Sequence, residues 1–362
     1  MKKGEVSNQK TGVWQASLFV LALILLAAGL VFSVMAAITF GNADISLKDV
    51  YSVVGCEVLK MKRFSGFSEG SVHDVVWLIR FPRVVLALAV GMGLSVCGVV
   101  MQAIVKNPLA DPYILGVSSG ASLGATLAIL LRIGSIFGGN FVGVMAFVGA
   151  MITSFMVMAI ANMGGRANAG KLILAGTAVS SVCSAFSSFI IFMVNDNNAT
   201  AEVMRWTMGS LSGADWSRAA VIFPVVLAST LIFWTQYRSL NLMLLGDEVS
   251  ITLGTNLHKS RTAYLILSSV IVGAAVYAAG MIGFVGLVIP HVIRILFGTD
   301  HKRLIPLSAL LGSIFLIWAD VASRIILKNA EMPIGILVSL IGAPCFIYLL
   351  VKRSYGFGGG RS

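Results

Sequence analysis

Apolar residues occur along this chain in helix-length runs that short polar gaps separate. A run of about 20 apolar residues crosses the hydrocarbon core of a bilayer as a helix, and a helix satisfies its own backbone hydrogen bonds in lipid. The pattern therefore predicts an all-α integral membrane protein with about ten transmembrane helices. The predicted spans are residues 14–40, 81–105, 113–132, 141–163, 171–194, 217–236, 262–280, 283–298, 304–327 and 334–351.

Composition supports the membrane class, because 57% of the residues are hydrophobic and only 11% are charged. Soluble domains carry roughly 25% charged residues. The longest gap, 41–79, mixes acidic and basic residues, and we expect short helices on the outer membrane surface there. The predicted spans leave no room for a soluble domain of ordinary size, so residues 1–362 are expected to form one transmembrane domain.

The formal charge of +11 suggests either nucleic-acid binding or membrane topology. Groups of basic residues fall in alternate gaps or at the C-terminus, and this distribution places those segments in the cytoplasm. The positions are Lys106; Arg166 and Lys171; Arg238, Lys259 and Arg261; Lys302 and Arg303; Lys352 and Arg353. With about ten spans, both termini are predicted to be cytoplasmic, and no nucleic-acid partner is expected.

Three glycines recur every four residues in the third predicted span, at Gly116, Gly120 and Gly124. Small residues at this spacing let membrane helices approach closely. Tight helix packing is one interpretation, and lining of a transport pathway is the other. The spacing alone does not separate them.

A few ionisable residues lie within or beside the spans, where a charge is costly. Asp320 and Arg324 are four residues apart on one helix face and are therefore able to pair. Arg80 and Arg83 flank Pro82 at the outer start of the second span, where their side chains can also extend to the headgroups.

The eighth span contains a proline followed by a charge. Pro290 is expected to kink that helix, and Arg294 follows it with no complementary carboxylate evident in the sequence.

The inner gap 237–261 is too short and too polar to cross the membrane. Leu242, Leu245, Val249 and Leu253 follow helical spacing, which predicts short amphipathic helices. Such a surface indicates either a protein partner or a segment that lies flat on the membrane.

The four cysteines are scattered and show no metal-binding or redox spacing, so no metal and no cofactor is expected on this chain. Two other classes of function remain as alternatives. One is an ion-gradient-driven secondary transporter that uses Asp320 as a proton site. The other is a membrane-embedded enzyme with Ser118 or His291 as a catalytic group, although no supporting motif is present.

Several ordered motifs resemble the permease subunits of ABC importers for iron-siderophores, haem and cobalamin, and the resemblance covers nearly the whole chain. They include Arg80-Phe-Pro-Arg83, Asn107-Pro-Leu-Ala-Asp-Pro112 and the run from Gly280 to His291. Asp320, Arg324, Glu331-Met-Pro-Ile-Gly335 and Gly342-Ala-Pro344 follow in the family's order.

The resemblance implies a multi-pass protein of a bacterial or archaeal cytoplasmic membrane that pairs with a second copy or a related permease. It implies a separate ATPase dimer on the cytoplasmic side, which uses the ATP, and a solute-binding protein outside. Residues that match the family's ATPase-coupling segment are Gly246, Asp247, Glu248, Leu253 and Gly254. Those that match its binding-protein contacts are Arg80, Arg83 and Arg324. The cargo is expected to be a metal chelate, with ferric siderophore first and haem or cobalamin next.

Overall fold

The computed structural model describes residues 2–41, 43–131, 140–163, 165, 167–245, 257–327 and 330–352. These residues form helices and turns without a β-strand. The helices are α1 (Lys2–Thr39), α2 (Leu47–Glu57), α3 (Phe81–Val105), α4 (Val117–Leu130), α5 (Phe141–Asn162), α6 (Ala169–Val194), α7 (Asn197–Thr207), α8 (Trp216–Thr235), α9 (Tyr237–Leu244), α10 (Leu257–Ala279), α11 (Val285–Phe297), α12 (His301–Ile325) and α13 (Ile334–Lys352).

Ten of these helices match the ten predicted spans in order. In the described residues, 7 are long and apolar enough to cross a membrane, and the others are the shorter apolar helices α4, α11 and α13. Helix α11 has 13 residues and is therefore about 20 Å long. It cannot cross a hydrocarbon core of about 30 Å by itself, so the non-helical backbone beside it must be enclosed by protein.

Helix α3 is the centre of the bundle. It is buried along nearly its whole length and packs against α8, α10, α11 and α12. Helix α1 lies at the periphery, where it contacts mainly α12 and exposes Leu25, Val31 and Phe32. The large core cluster therefore forms around α3, and α1 presents apolar side chains to lipid.

The described residues of the gap 41–79 form short helices, as the sequence predicts, and their position on the outer membrane surface stays a prediction. Ser46 caps α2, because its Oγ accepts a hydrogen bond from the backbone N–H of Asp49. A π-helical turn, Asp74–Arg80, then leads directly into α3. This turn brings Arg80 to the outer end of the bundle.

Two helix prolines leave carbonyl groups that neighbouring helices use. A proline has no N–H, so the carbonyl four residues before it has no helical donor. Pro290 frees the carbonyl of Gly286, which accepts a hydrogen bond from Gln102 Nε2 on α3 at 3.4 Å. Pro306 frees the carbonyl of Lys302, which accepts one from Trp234 Nε1 on α8 at 3.0 Å. The kink expected at Pro290 stays a prediction.

Candidate functional site: charged outer cluster and inner loop

The three arginines that the sequence singles out converge at the outer end of the bundle. Arg80 precedes α3, Arg83 lies in its first turn, and Arg324 lies in the last turn of α12. All three are buried, with exposed fractions of 4%, 5% and 4% respectively. They are therefore part of the packed interior of this conformation.

Asp320 is the centre of this cluster. Its Oδ1 lies 2.7 Å from Arg83 Nε, and its Oδ2 lies 3.2 Å from Arg324 Nη2. The pairing of Asp320 with Arg324 was predicted from their spacing, whereas the pairing with Arg83 was not. Arg83 also reaches Glu331 Oε2 at 2.9 Å, and that carboxylate is partly exposed.

Arg80 and Arg324 also donate hydrogen bonds to carbonyls at and just after the carboxyl end of α1. Arg80 donates to the carbonyls of Ile38 and Thr39, at 3.2 and 3.0 Å, and Arg324 donates to that of Phe40 at 2.9 Å. The last carbonyls of a helix lack intrahelical donors and form the negative end of its dipole. Arg80 and Arg324 therefore hold α1 to the helix bundle.

The geometry gives these arginines a structural role and leaves their predicted docking role untested. A negatively charged partner would have to compete with Glu331 for the Arg83 guanidinium. Glu331 is the only exposed member of this ion-pair network among the described residues, with its side chain 39% exposed. The sequence did not indicate Glu331 as an ion-pair partner, because it lies 248 positions from Arg83.

The glycines of the third span lie at helix contacts. A Cβ added at Gly120 would collide with Thr153 on α5, and one at Gly124 would collide with the carbonyl of Met145. Gly116 has a φ of +71° and precedes α4, beside α6. These contacts explain the spacing by close packing, and a role in the pathway stays a prediction.

Arg294 has the neutral Gln102 side chain of α3 as a hydrogen-bond partner. Its Nη2 donates to Gln102 Oε1 at 2.5 Å. Gln102 thus contacts α11 twice, at Arg294 and at the carbonyl freed by Pro290, and this double contact fastens α11 to α3. Sequence reasoning missed Gln102 because an amide carries no charge to match.

The connection between α3 and α4 contains an unusual carboxyl group. Asp111 Oδ1 accepts a hydrogen bond from the backbone N–H of Tyr113 at 2.8 Å. Burial raises the pKa of Asp111 to about 6, and this hydrogen bond only partly offsets the shift. The Tyr113 hydroxyl donates to the carbonyl of Ile282 at 3.2 Å, so this connection packs against the turn before α11.

The described first part of the inner loop consists of α9 and Leu245, and the loop's last residues begin α10. Leu240 and Met243 are buried, whereas Leu245 is 59% exposed immediately after the helix. The predicted coupling residues lie outside the described residues; they are Gly246, Asp247, Glu248, Leu253 and Gly254. The described part therefore anchors the loop and ends on an exposed apolar side chain.

The arrangement is a membrane-spanning helical bundle with a buried ionic cluster outside and an anchored loop inside. Comparison with known proteins gives the class: residues 19–352 match the FecCD transport family, and the chain belongs to that family. It is therefore a membrane permease of an ABC importer of the metal-chelate type. This class fits a permease whose ATP is hydrolysed by a separate subunit.

Individual relatives agree with this assignment. The cobalamin import system permease protein BtuC of Halobacterium salinarum is 42% identical over 279 residues, covering 77% of this chain and 74% of its own length. The haemin transport system permease protein HmuU of Yersinia pestis is 39% identical over 292 residues, covering 78% and 86%. An uncharacterised ABC transporter permease, YvrB of Bacillus subtilis, is 41% identical over 299 residues, covering 82% and 83%.

Solved structures support the fold. An inward-facing structure described as a metal-chelate type ABC transporter aligns with a TM-score of 0.76 and 29% identity, covering 91% of this chain and 99% of that chain. PsaBC from Streptococcus pneumoniae aligns with a TM-score of 0.51 at 15% identity, covering 83% and 94%, and this likeness shows the fold alone.

Proposed function

We propose that this chain is the permease through which a metal chelate crosses the membrane. A solute-binding protein delivers the chelate, and a separate ATPase dimer drives its transport. Ferric siderophore is the first candidate cargo, and haem and cobalamin are the alternatives. The observation that carries the proposal is the match to the FecCD transport family over residues 19–352. Because relatives are named for cobalamin and for haemin, any test of the cargo has to include both of these compounds.

The ion-gradient alternative finds no support in the surroundings of Asp320. A proton-carrying carboxyl group must lose and regain its charge during each cycle. Asp320 is held between the guanidinium groups of Arg83 and Arg324, and both of its oxygens are engaged in these ion pairs. The same two pairs give this carboxylate a structural role.

The test is uptake into vesicles that contain the permease, its ATPase and its binding protein. We expect uptake of one radiolabelled chelate to require ATP and to persist when an uncoupler collapses the ion gradient. Ferric siderophore, haemin and cobalamin are compared at equal concentration, with binding to the isolated binding protein measured in parallel. Uptake that stops with the uncoupler while ATP is held constant would contradict the proposal.

Arg80, Arg83 and Arg324 are proposed to meet acidic residues of the binding protein. Their convergence at the outer end of the bundle supports this role, because opposite charge speeds a transient docking step. Since all three are buried, docking would involve exchange of an internal acceptor, such as Glu331, for a carboxylate of the partner.

The inner loop 237–261 is proposed as the ATPase contact, with Gly246, Asp247, Glu248, Leu253 and Gly254 as its coupling residues. The exposed Leu245 supports this proposal, since an apolar side chain on a cytoplasmic loop gains by being covered. The chain itself is proposed to bind no cofactor, and ATP is used by the partner. A second permease copy, or a related permease, completes the proposed complex within the lipid bilayer.

A further inference from the structure

Helix α9 has only 8 residues, yet buried side chains and hydrogen bonds attach it to the transmembrane helices. Leu240 and Met243 are completely buried, and α9 packs against α3 and α12. Just before α9, Trp234 Nε1 donates to the Lys302 carbonyl that Pro306 leaves free. The start of the inner loop is thus attached to the amino end of α12.

Asn241 makes the polar part of this attachment. Its Oδ1 accepts a hydrogen bond from the backbone N–H of His301 at 2.9 Å and lies 2.6 Å from His301 Nδ1. Its Nδ2 donates to Asp300 Oδ1 at 2.8 Å. One side chain therefore contacts both residues at the start of α12.

Each of these contacts has a defined direction. The backbone N–H of His301 can only donate, so the Asn241 atom facing it is the amide oxygen. An amide oxygen only accepts, so His301 Nδ1 carries a proton and donates to it. Asp300 meanwhile caps α12, because its Oδ1 also accepts from the backbone N–H of Lys302 at 3.0 Å.

Helix α12 connects this attachment to the outer cluster. It runs for 25 residues from His301 to Ile325, a length of about 37 Å. Its inner end is bound to the loop by Asn241, and its outer part carries Asp320 and Arg324. A displacement of the loop would therefore act on the helix that also forms the ionic cluster outside.

We propose that Asn241 is a positioning residue that locks the inner loop to the amino end of α12, through His301 and Asp300, and so transmits the movement of the ATPase to the transmembrane helices. This inference rests on the proposed function of the loop. Removal of the lock leaves the loop able to hold the ATPase but less able to move α12. ATP is then hydrolysed with less transport.

The test uses the complete transporter in vesicles and measures chelate transported per ATP hydrolysed. Asn241→Leu removes all three contacts at similar volume. Asn241→Asp keeps the acceptor for His301 but places a carboxylate against Asp300. Both variants should lower the transport-to-hydrolysis ratio by about threefold to tenfold, a range typical of residues within a coupling network. Amounts of assembled complex should stay unchanged.

A charge exchange provides the rescue. In the double variant Asn241→Asp with Asp300→Asn, the new carboxylate accepts from His301 and from the new amide. Asp300 Oδ1 accepts from both Asn241 and the Lys302 N–H in the unaltered protein, so the new amide has to turn slightly: its oxygen stays on the Lys302 N–H as the cap, and its nitrogen faces the new carboxylate. This variant should recover the ratio to within about twofold of the unaltered protein. Asn168→Asp, at the cap of α6 on the same membrane side, is the matched control and should leave the ratio unchanged.

The outcomes separate the lock from the proposed function. ATP-dependent transport by the unaltered complex, with an unchanged ratio in both single variants, would overturn the lock alone. Loss of assembled complex with a normal ratio in the remainder, or a charge exchange that restores nothing, would also overturn it. Failure of the unaltered complex to show ATP-dependent transport would refute the proposed function itself.

Discussion

At the scale of single residues, the outer cluster places positive charges in the interior and compensates each of them. Arg83 faces Asp320 and Glu331, whereas Arg80 faces the carbonyls at the end of α1. Substitution of all three arginines by Glu would crowd new carboxylates against Asp320 in a buried place. Neutral single substitutions therefore test docking more cleanly.

The docking role predicts opposite effects for the two members of one ion pair. Arg83→Gln should slow association with an acidic binding protein, and Glu331→Gln should speed it, because the internal competitor is gone. Each change should be about twofold to fivefold, the range of a partly exposed pair, and should shrink as salt is raised. Surface plasmon resonance at two ionic strengths measures the rates.

The exposed Arg63 provides the control for net charge. Arg63→Gln removes the same charge from the outer segment and should change the rate little. If Glu331→Gln and Arg83→Gln both leave association and its salt dependence unaltered, the arginines only hold the helix ends.

Asp111 predicts a pH dependence of stability. The folded protein keeps this proton up to about pH 6, whereas an unfolded chain releases it near pH 4. Stability from this group is therefore fully present below about pH 4 and is lost as pH rises through about 6. The pKa difference of about two units corresponds to a loss on the order of 3 kcal/mol.

Asp111→Asn keeps an acceptor for the Tyr113 N–H and removes the titration. We expect the Tm of this variant in detergent to fall less between about pH 4 and about pH 7 than that of the unaltered protein. Asp44→Asn, at an exposed position of the outer gap, serves as the control and should keep the original pH profile. Identical profiles for Asp111→Asn and the unaltered protein would contradict the assignment.

Residue-scale prediction from sequence succeeds for local pairs and fails for distant ones. Asp320 and Arg324 were expected to pair because a helix places residues four apart on one face. Gln102 could not be matched to Arg294, since the two lie 192 positions apart and one is uncharged. Only the packing of α3 against α11 brings them together.

At the scale of elements, the close contact between α4 and α5 depends on glycines, which have no side chain to hold the helices apart. Gly124→Ala should place a methyl group against the Met145 carbonyl and force the helices apart. Overpacking of this kind costs about 1–3 kcal/mol, so the Tm of the purified protein should fall. Gly66→Ala, where nothing lies within 4 Å, should leave the Tm unchanged. An equal Tm for both variants would mean that α4 and α5 separate freely.

The inner loop provides a second prediction at this scale. Leu245→Glu should reduce co-purification of the ATPase, because a charge replaces an exposed apolar contact. Leu59→Glu makes the same change at a residue that is 67% exposed on the outer side, and should leave co-purification intact. Membrane insertion should be normal in both. Full recovery of ATPase with Leu245→Glu would show that the contact lies elsewhere.

At the scale of the whole molecule, two peripheral helices expose different side chains. Helix α1 exposes large apolar residues such as Val31 and Phe32. Helix α6 also exposes Thr177, Ser181, Ser184 and Ser188 along one face. Small hydroxylated residues in membranes belong at helix–helix contacts or beside water. The face of α6 is therefore the better candidate for contact with a second permease.

A permease dimer is expected to cross-link through that face. With the native cysteines replaced, Ser188→Cys should give a cross-linked product of two permease chains in intact membranes. Val31→Cys on α1 serves as the lipid-facing comparison and should give little. A strictly monomeric permease in an intact, transporting complex would remove the dimer proposal, because an isologous pair is the expected arrangement.

The sequence by itself determined the membrane class, the order of the spans and the sidedness. Those properties follow from the length of apolar runs and the placement of basic residues, which act locally through transfer into lipid. The tertiary structure alone decided which polar side chains of helices distant in sequence meet. Arg83 joins Asp320, Arg294 joins Gln102, and Asn241 joins Asp300 and His301 only because helices distant in sequence pack side by side. In lipid, those contacts depend on how closely two helix faces fit together. That fit is a property of both helices, so the sequence of one helix does not reveal it.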